Sequence, residues 1–312
     1  MLQLYKKRNF SSLINDTISF FRTEGKSYFR SYFIINGGLL LILMLLIYLM
    51  GKVFFDGIFS GFGNPQSSEI MDAYFASNTA LFVGAGIFTG IVVVVLTLLS
   101  YSFPVIYLNL LEQKQTPSVS LVLSALKTKT GRLVIFSLLW LVTFLPILVL
   151  LGVFSILLIA IVIGIPVAFI LFAAAWCWMC LAFFDYLNNN SGYFQAMKNG
   201  WDMLFSNFWH YAGVTAIFYL IITILHSIIS FIPYIFGIFS IIGADGLNSS
   251  NPESFSFFGL MMLITFMLSM LLSYILGNVL FVNQGMIYYT AREEKNNHSL
   301  HSEIDLIGTD SE

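Results

Sequence analysis

The sequence predicts an all-α, polytopic membrane protein with about six transmembrane helices, and three observations carry that expectation. First, from Leu133 to Phe184 there is no Asp, Glu, Lys or Arg. As a helix rising about 1.5 Å per residue this run would measure roughly 78 Å. Bilayer hydrocarbon is about 30 Å thick, so the run is too long for one crossing and suits two with a turn between them. Second, 58% of residues are hydrophobic and only 10% charged, with a mean hydropathy of +0.86. A soluble domain carries about 25% charge. Third, the basic residues fall almost entirely in alternate connections between the apolar runs, and so on one side, as shown below.

Taken in chain order, residues 1–31 read as an amphipathic segment, with Leu13, Ile14, Thr17, Ile18 and Phe21 at helical spacing. The first span is expected at 32–50. It follows a charged and polar stretch and is itself long enough to cross, so it should remain as an anchor and not be cleaved as a leader. The segment from Lys52 to Thr79 carries Gly57, Gly61, Gly63, Asn64 and Pro65 and reads as turns. A second span is expected at 80–104, where Gly86 and Gly90 form a Gly-x-x-x-Gly that allows close helix contact, within the chain or between chains. Before the third span, Thr116 can cap a helix with Pro117 in its first position and Val119, Val122 and Leu126 inward. Spans three and four are expected at 133–152 and 164–184, with Gly164-Ile165-Pro166 breaking the run. Phe194, Met197, Trp201, Leu204, Phe205 and Phe208 then mark an interfacial helix over 191–208, followed by spans at 211–233 and 259–283. The transmembrane domain so defined covers 32–289, and 290–312 is an acidic tail expected to be disordered. Pro104, Pro146 and Pro233 are expected to kink their helices. The pattern suggests three units, each an amphipathic helix followed by a transmembrane hairpin.

Six crossings place Lys6, Lys7, Arg8, Arg22, Lys26, Arg30, Lys114, Lys127, Lys129, Arg132, Lys198, Arg292 and Lys295 on one side. Of the fourteen basic residues only Lys52 lies on the other, beside Asp56, Glu69, Asp72, Asp245 and Glu253. Lys and Arg are retained on the cytoplasmic side, so both termini are expected there.

The stretch from Ile163 to Tyr219 combines the Gly164-Ile165-Pro166 break, an aromatic span ending at Phe184, then Ala196-Met197-Lys198-Asn199-Gly200-Trp201-Asp202-Met203-Leu204 and Asn207-Phe208-Trp209. It resembles the integral-membrane domain family named after its occurrence in some bacterial glycerophosphoryl diester phosphodiesterases. In that family an Ala, basic, small-residue, Trp, Leu pattern and a Phe-Trp precede a membrane helix; Gly200 stands where a Ser is more usual. Asn283-Gln284-Gly285-Met286-Ile287-Tyr288-Tyr289 is similar as well. The resemblance implies a bacterial inner-membrane module without the catalytic barrel, since no soluble segment here could hold one.

Candidate chemistry is sparse. His226 is the one titratable side chain near the middle of a span apart from Tyr and Cys, and an ionisable group at that depth suggests a relay or lining role. A hydrogen bond to a neighbouring helix would satisfy it equally. Asn278, Asn283 and Gln284 cluster toward the end of span six, for interhelical bonds or for a substrate. Cys177 and Cys180 form a Cys-x-x-Cys, but in apolar surroundings without a second pair they read as small packing residues. His210 belongs to an interfacial aromatic cluster, and His298 and His301 lie in the polar tail. The sequence has no His-Glu-x-x-His, Gly-x-Ser-x-Gly or Gly-x-x-x-x-Gly-Lys. No catalytic, cofactor or metal site is expected. Membrane lipids are the expected partners, with a membrane or cytoplasmic protein, and nucleic acid is not expected. Two readings follow: a non-enzymatic scaffold or accessory subunit, or a transporter or channel for a small or lipid-like solute.

Overall fold

The computed structural model describes residues 3–60, 66–159, 161, 164–245 and 252–296. Among these residues there are nine helices and no strand: α1 (Phe10–Thr23), α2 (Gly25–Ser60), α3 (Ser67–Ser77), α4 (Thr79–Glu112), α5 (Val119–Ile159), α6 (Gly164–Asn188), α7 (Tyr193–Ser206), α8 (Phe208–Asp245) and α9 (Pro252–Asn296). Six of them, α2, α4, α5, α6, α8 and α9, are long and apolar enough to cross a membrane, so the architecture is all-α and multi-pass. Each predicted span lies inside one of these helices.

The helices begin and end where local chemistry supplies the missing partners. Asn9 caps α1, its side chain accepting from the Ser12 amide at 2.9 Å. A single residue, Glu24, separates α1 from α2, and Asn207 alone separates α7 from α8. α5 is different. Its approach segment and span are one unbroken helix, and the cap is Ser118, whose hydroxyl accepts from the Leu121 amide at 3.3 Å. Thr116 and Pro117 stand before the helix, so the predicted cap is corrected by two residues. Of the three expected units, the first and third thus have a separate short helix and the middle one does not.

The break between spans three and four falls where predicted. The Gly164 amide donates to the Ile161 carbonyl at 2.6 Å, and a Cβ on Gly164 would lie 1.9 Å from the Leu158 carbonyl oxygen. Only a residue without a side chain fits this turn. The Lys52–Thr79 segment needs a larger correction, because α2 continues through Gly57 to Ser60 and α3 follows. At Gly57 a Cβ would come within 2.8 Å of both Tyr74 and Phe75, so this glycine is a packing contact between α2 and α3. Gly61, Gly63, Asn64 and Pro65 lie outside the described residues. Pro104, Pro146 and Pro233 are all interior to continuous helices.

The chain divides into two compact units. One comprises Met1–Ile35, Leu98–Ile221 and Asn278–Glu312; the other comprises Asn36–Thr97 and Ile222–Gly277. In the first, α6 packs on α5 and α7. Its core is aromatic: Tyr28, Tyr107, Phe103 and Phe20 meet edge to face with centroids 4.9 to 6.3 Å apart. Residues 3–9 are pinned to this unit by Arg8, which is buried and donates to the carbonyls of Gln3, Leu4 and Lys6, to Asp16 at 2.8 Å and to the Thr290 hydroxyl. Burial lowers the Arg8 pKa, and the Asp16 carboxylate opposes that shift. α9 correspondingly runs to Asn296, past the expected boundary at 289, with Thr290 and Glu293 buried. The tail beyond it lies outside the described residues.

In the second unit, Gly51 of α2 faces Leu263 of α9, and Gly237 of α8 faces Met261 and Phe258. Its exposed side chains include the large apolar Leu41, Ile87, Ile91 and Phe236.

Candidate functional site

The polar end of the first unit is built by α6 and its neighbours. α6 ends at Asn188, and Asn190 adopts a left-handed conformation, φ 54°, which turns the chain toward α7. Asn tolerates that region better than most residues. The turn folds three donors over Asp185, which is 3% exposed: its carboxylate accepts from Asn189, from Ser191 at 3.0 Å and from Asn199 at 2.8 Å. Arg132 of α5 donates to the Tyr186 and Ser191 carbonyls and lies 4.0 Å from the Tyr186 ring centroid. Lys129 donates to the Leu187 carbonyl at 2.7 Å. Arg292 of α9 donates to Asn189 at 2.9 Å, and Tyr211 of α8 donates to Glu294 of α9 at 2.9 Å. Glu112 of α4 accepts from both Tyr5 and Tyr289, at 2.8 and 2.9 Å. Burial first and Glu112 second raise the Tyr5 pKa, which keeps this phenol a donor. Sequence reading treated Asp185 only as the end of the charge-free run; its position as the sole acid at that terminus was the available signal.

The residues singled out from the sequence separate into three groups. Asn278, Asn283 and Gln284 are all buried on α9. Asn278 accepts from Tyr28 at 2.7 Å, Asn283 donates to Thr17 at 3.1 Å, and Gln284 donates to Thr215 at 2.9 Å. The amides therefore tie α9 to α2, α1 and α8. His226 belongs to the other unit, where its Nε2 is 3.1 Å from the Ser269 carbonyl oxygen, next to a Ser230–Ser269 hydroxyl pair at 2.8 Å. It is half-buried and far from being a cluster with other titratable groups. Among the described residues Gly86 and Gly90 form no close helix contact: a Cβ at Gly90 would meet nothing within 4 Å, and at Gly86 only a Met50 methyl at 3.9 Å. Cys177 and Cys180 are buried and free. Among the described residues no group of three or more His, Cys, Asp or Glu could hold a metal.

The helix expected over 191–208 is present as α7, but of the apolar residues predicted to share one face Leu204 is buried while Phe194, Trp201 and Phe205 face outward. Ala196, Gly200, Met203 and Leu204 are buried against the rest of the unit, whereas Phe194, Trp201 and Phe205 are exposed by 71, 46 and 50%. At Gly200 a Cβ would lie 2.7 Å from the Ala182 nitrogen of α6. Trp178 of α6 donates to the Met197 carbonyl at 2.8 Å. Small residues thus set the approach to α6, and the aromatic stripe faces outward.

Sequence reading also missed a cavity of about 400 Å³ between α5, α6 and the first half of α8, with walls of Trp140, Phe144, Phe169, Phe172, Trp176 and Tyr219. Thr215 also lines it. The Nε1 atoms of Trp140 and Trp176 are buried without a hydrogen-bond partner.

No family model, curated protein or solved structure matches the chain.

Proposed function

We propose that this protein is a non-enzymatic scaffold or accessory subunit of a bacterial inner membrane, with both termini in the cytoplasm. The observation that carries the reading is the use of the intramembrane polar groups. His226, Asn278, Asn283 and Gln284 each bond to a named group on another helix of the same chain, so each joins helices, with the Gln284 Oε1 atom alone among them buried without a partner. A coupled transporter needs polar groups turned to a route and helices interrupted near the midplane. Here α8 and α9 run unbroken through the residues concerned. The thirteen-to-one distribution of basic residues supports the orientation. The outward aromatic stripe of α7 supports attachment to the inner membrane surface, and the likeness of residues 163–219 to the phosphodiesterase-associated membrane domain supports a module that serves a partner. The exposed ends of the helices and the residues after 296 are where that partner would meet it.

The test is His226→Gln in a deletion strain. An amide can hydrogen-bond to the Ser269 carbonyl but cannot titrate. A scaffold should be fully complemented. A stable, correctly inserted His226→Gln protein without activity would replace this reading with proton-linked transport.

A further inference from the structure

Basic residues crowd one side of the charge partition, and the structure commits several of them internally. Lys6 and Arg8 pair with Asp16, Lys129 and Arg132 close the last turn of α6, and Arg292 bonds to Asn189 and Tyr288. Arg22, Lys26 and Arg30 are different. All three are exposed, and none takes part in a hydrogen bond or ion pair with any described residue. The rotation of α2 turns the last two outward. Tyr28 and Tyr32 are fully buried, Tyr28 donating to Asn278 at 2.7 Å and Tyr32 pairing with the Ser100 hydroxyl at 3.0 Å. Lys26 and Arg30 stand two residues to either side of Tyr28, about 160° around the helix from it.

One turn apart, with Cβ atoms about 6 Å from each other, Lys26 and Arg30 can reach the same oxyanion. No acid stands three or four residues from either, so neither charge is neutralised along the helix. Arg22, in the last turn of α1, adds a third cation to this short stretch. Glu24, half-buried, is the one acid between residues 17 and 55. The surface next to these charges is apolar. Phe33 and Ile34 are exposed within one turn of Arg30, and Phe29 joins Phe33 to Phe21 in a row of rings with centroids 6.3 and 5.7 Å apart. From Ser31 to Gly51 there is no charge at all, so the cations stand at the edge where hydrocarbon begins. A soluble phosphate would use the cations and leave the apolar surface bare. A zwitterionic lipid would bring its own ammonium against three like charges. A headgroup of net negative charge on hydrocarbon chains satisfies both halves of the surface. We propose that Arg22, Lys26 and Arg30 bind the phosphate of an anionic phospholipid whose chains lie against Phe33 and Ile34.

The full chain in mild detergent is titrated with dioleoyl phosphatidylglycerol, and the lipid retained after gel filtration is extracted and quantified. Saturable retention that weakens with added salt is expected. Dioleoyl phosphatidylcholine, with the same chains and a compensating ammonium, should be retained much more weakly. Glycerol phosphate, which has the charge without the chains, should not compete at equal concentration. Lys26→Gln with Arg30→Gln should weaken binding of the phosphatidylglycerol about thirtyfold. Lys114→Gln with Lys127→Gln removes the same charge from two exposed positions elsewhere and should leave it unchanged. Equal retention of the two lipids, competition by glycerol phosphate, unchanged binding in the Lys26 and Arg30 double variant, or an equal loss in both double variants overturns the proposal. Should the Lys26 and Arg30 double variant not yield a monodisperse protein, Lys26→Gln alone decides: a loss of about fivefold is expected, and unchanged affinity overturns the proposal.

Discussion

Gly200→Ala tests whether α7 is held to α6 by close backbone approach. The added Cβ would lie 2.7 Å from the Ala182 nitrogen and 3.0 Å from its Cα and Cβ, about 0.7 Å short of the 3.4 Å at which ordinary contact begins. The obstructing atoms are mostly backbone, so no side chain can swing away to make room. Two effects oppose each other. Ala in a helix interior is favoured over Gly by about 0.5–1 kcal/mol. Overpacking of this kind costs about 1–3 kcal/mol. Moving α7 outward to relieve it would also stretch the Trp178–Met197 bond and the Asn199–Asp185 bond, which are worth about 1 kcal/mol each. The net expectation is a loss of about 2 kcal/mol, and Gly200→Ser should behave similarly. The measurement is unfolding in mixed micelles of increasing sodium dodecyl sulfate, followed by tryptophan fluorescence. Gly200→Ala as stable as the parent, or more so, would refute the close approach and leave only propensity at work.

Two further outcomes are expected. Cys177→Ala with Cys180→Ala should keep normal protein levels and full complementation, because both thiols are buried among apolar side chains; loss of complementation at normal levels would point instead to redox chemistry at this Cys-x-x-Cys. In that cysteine-free background, Ser68→Cys should react with an impermeant maleimide added to intact spheroplasts while Ser124→Cys should not, both positions being exposed on their helices; labelling of Ser124→Cys from outside would reverse the orientation.

The spans were legible because a bilayer imposes a length and an absence of charge that a sequence displays directly. The Gly164 break was legible for the same reason, since a run twice the membrane thickness must turn and only a few residues in it can do so. The segment holding α3 was not. Its glycines resemble turn residues, and only the pairing of Gly57 with Tyr74 and Phe75 reveals that one of them admits a packed aromatic pair. α7 was half legible: helical spacing found the helix, but spacing alone cannot say which of its faces packs on α6. Burial decided it, assigning the small residues to α6 and the large aromatics outward. The cavity was invisible in sequence because its lining comes from three helices and from residue types that elsewhere fill cores.

The basic residues show why topology and packing are coupled in this chain. Lys129 and Arg132 belong to the crowded side of the charge partition, and the same two side chains donate to the carbonyls of Tyr186 and Leu187 in the last turn of α6. Those carbonyls have no partner within the helix, and the negative end of its dipole lies there, so a cation is the favoured closure. α5 runs unbroken from Lys129 to Ile159, which keeps both donors in register with α6. A separate approach helix before span three, like α1 or α7, would uncouple them. The middle unit thus exchanges an interfacial helix for a rigid hairpin. The hairpin sets the spacing of Trp140 and Trp176, and with α8 it frames the cavity.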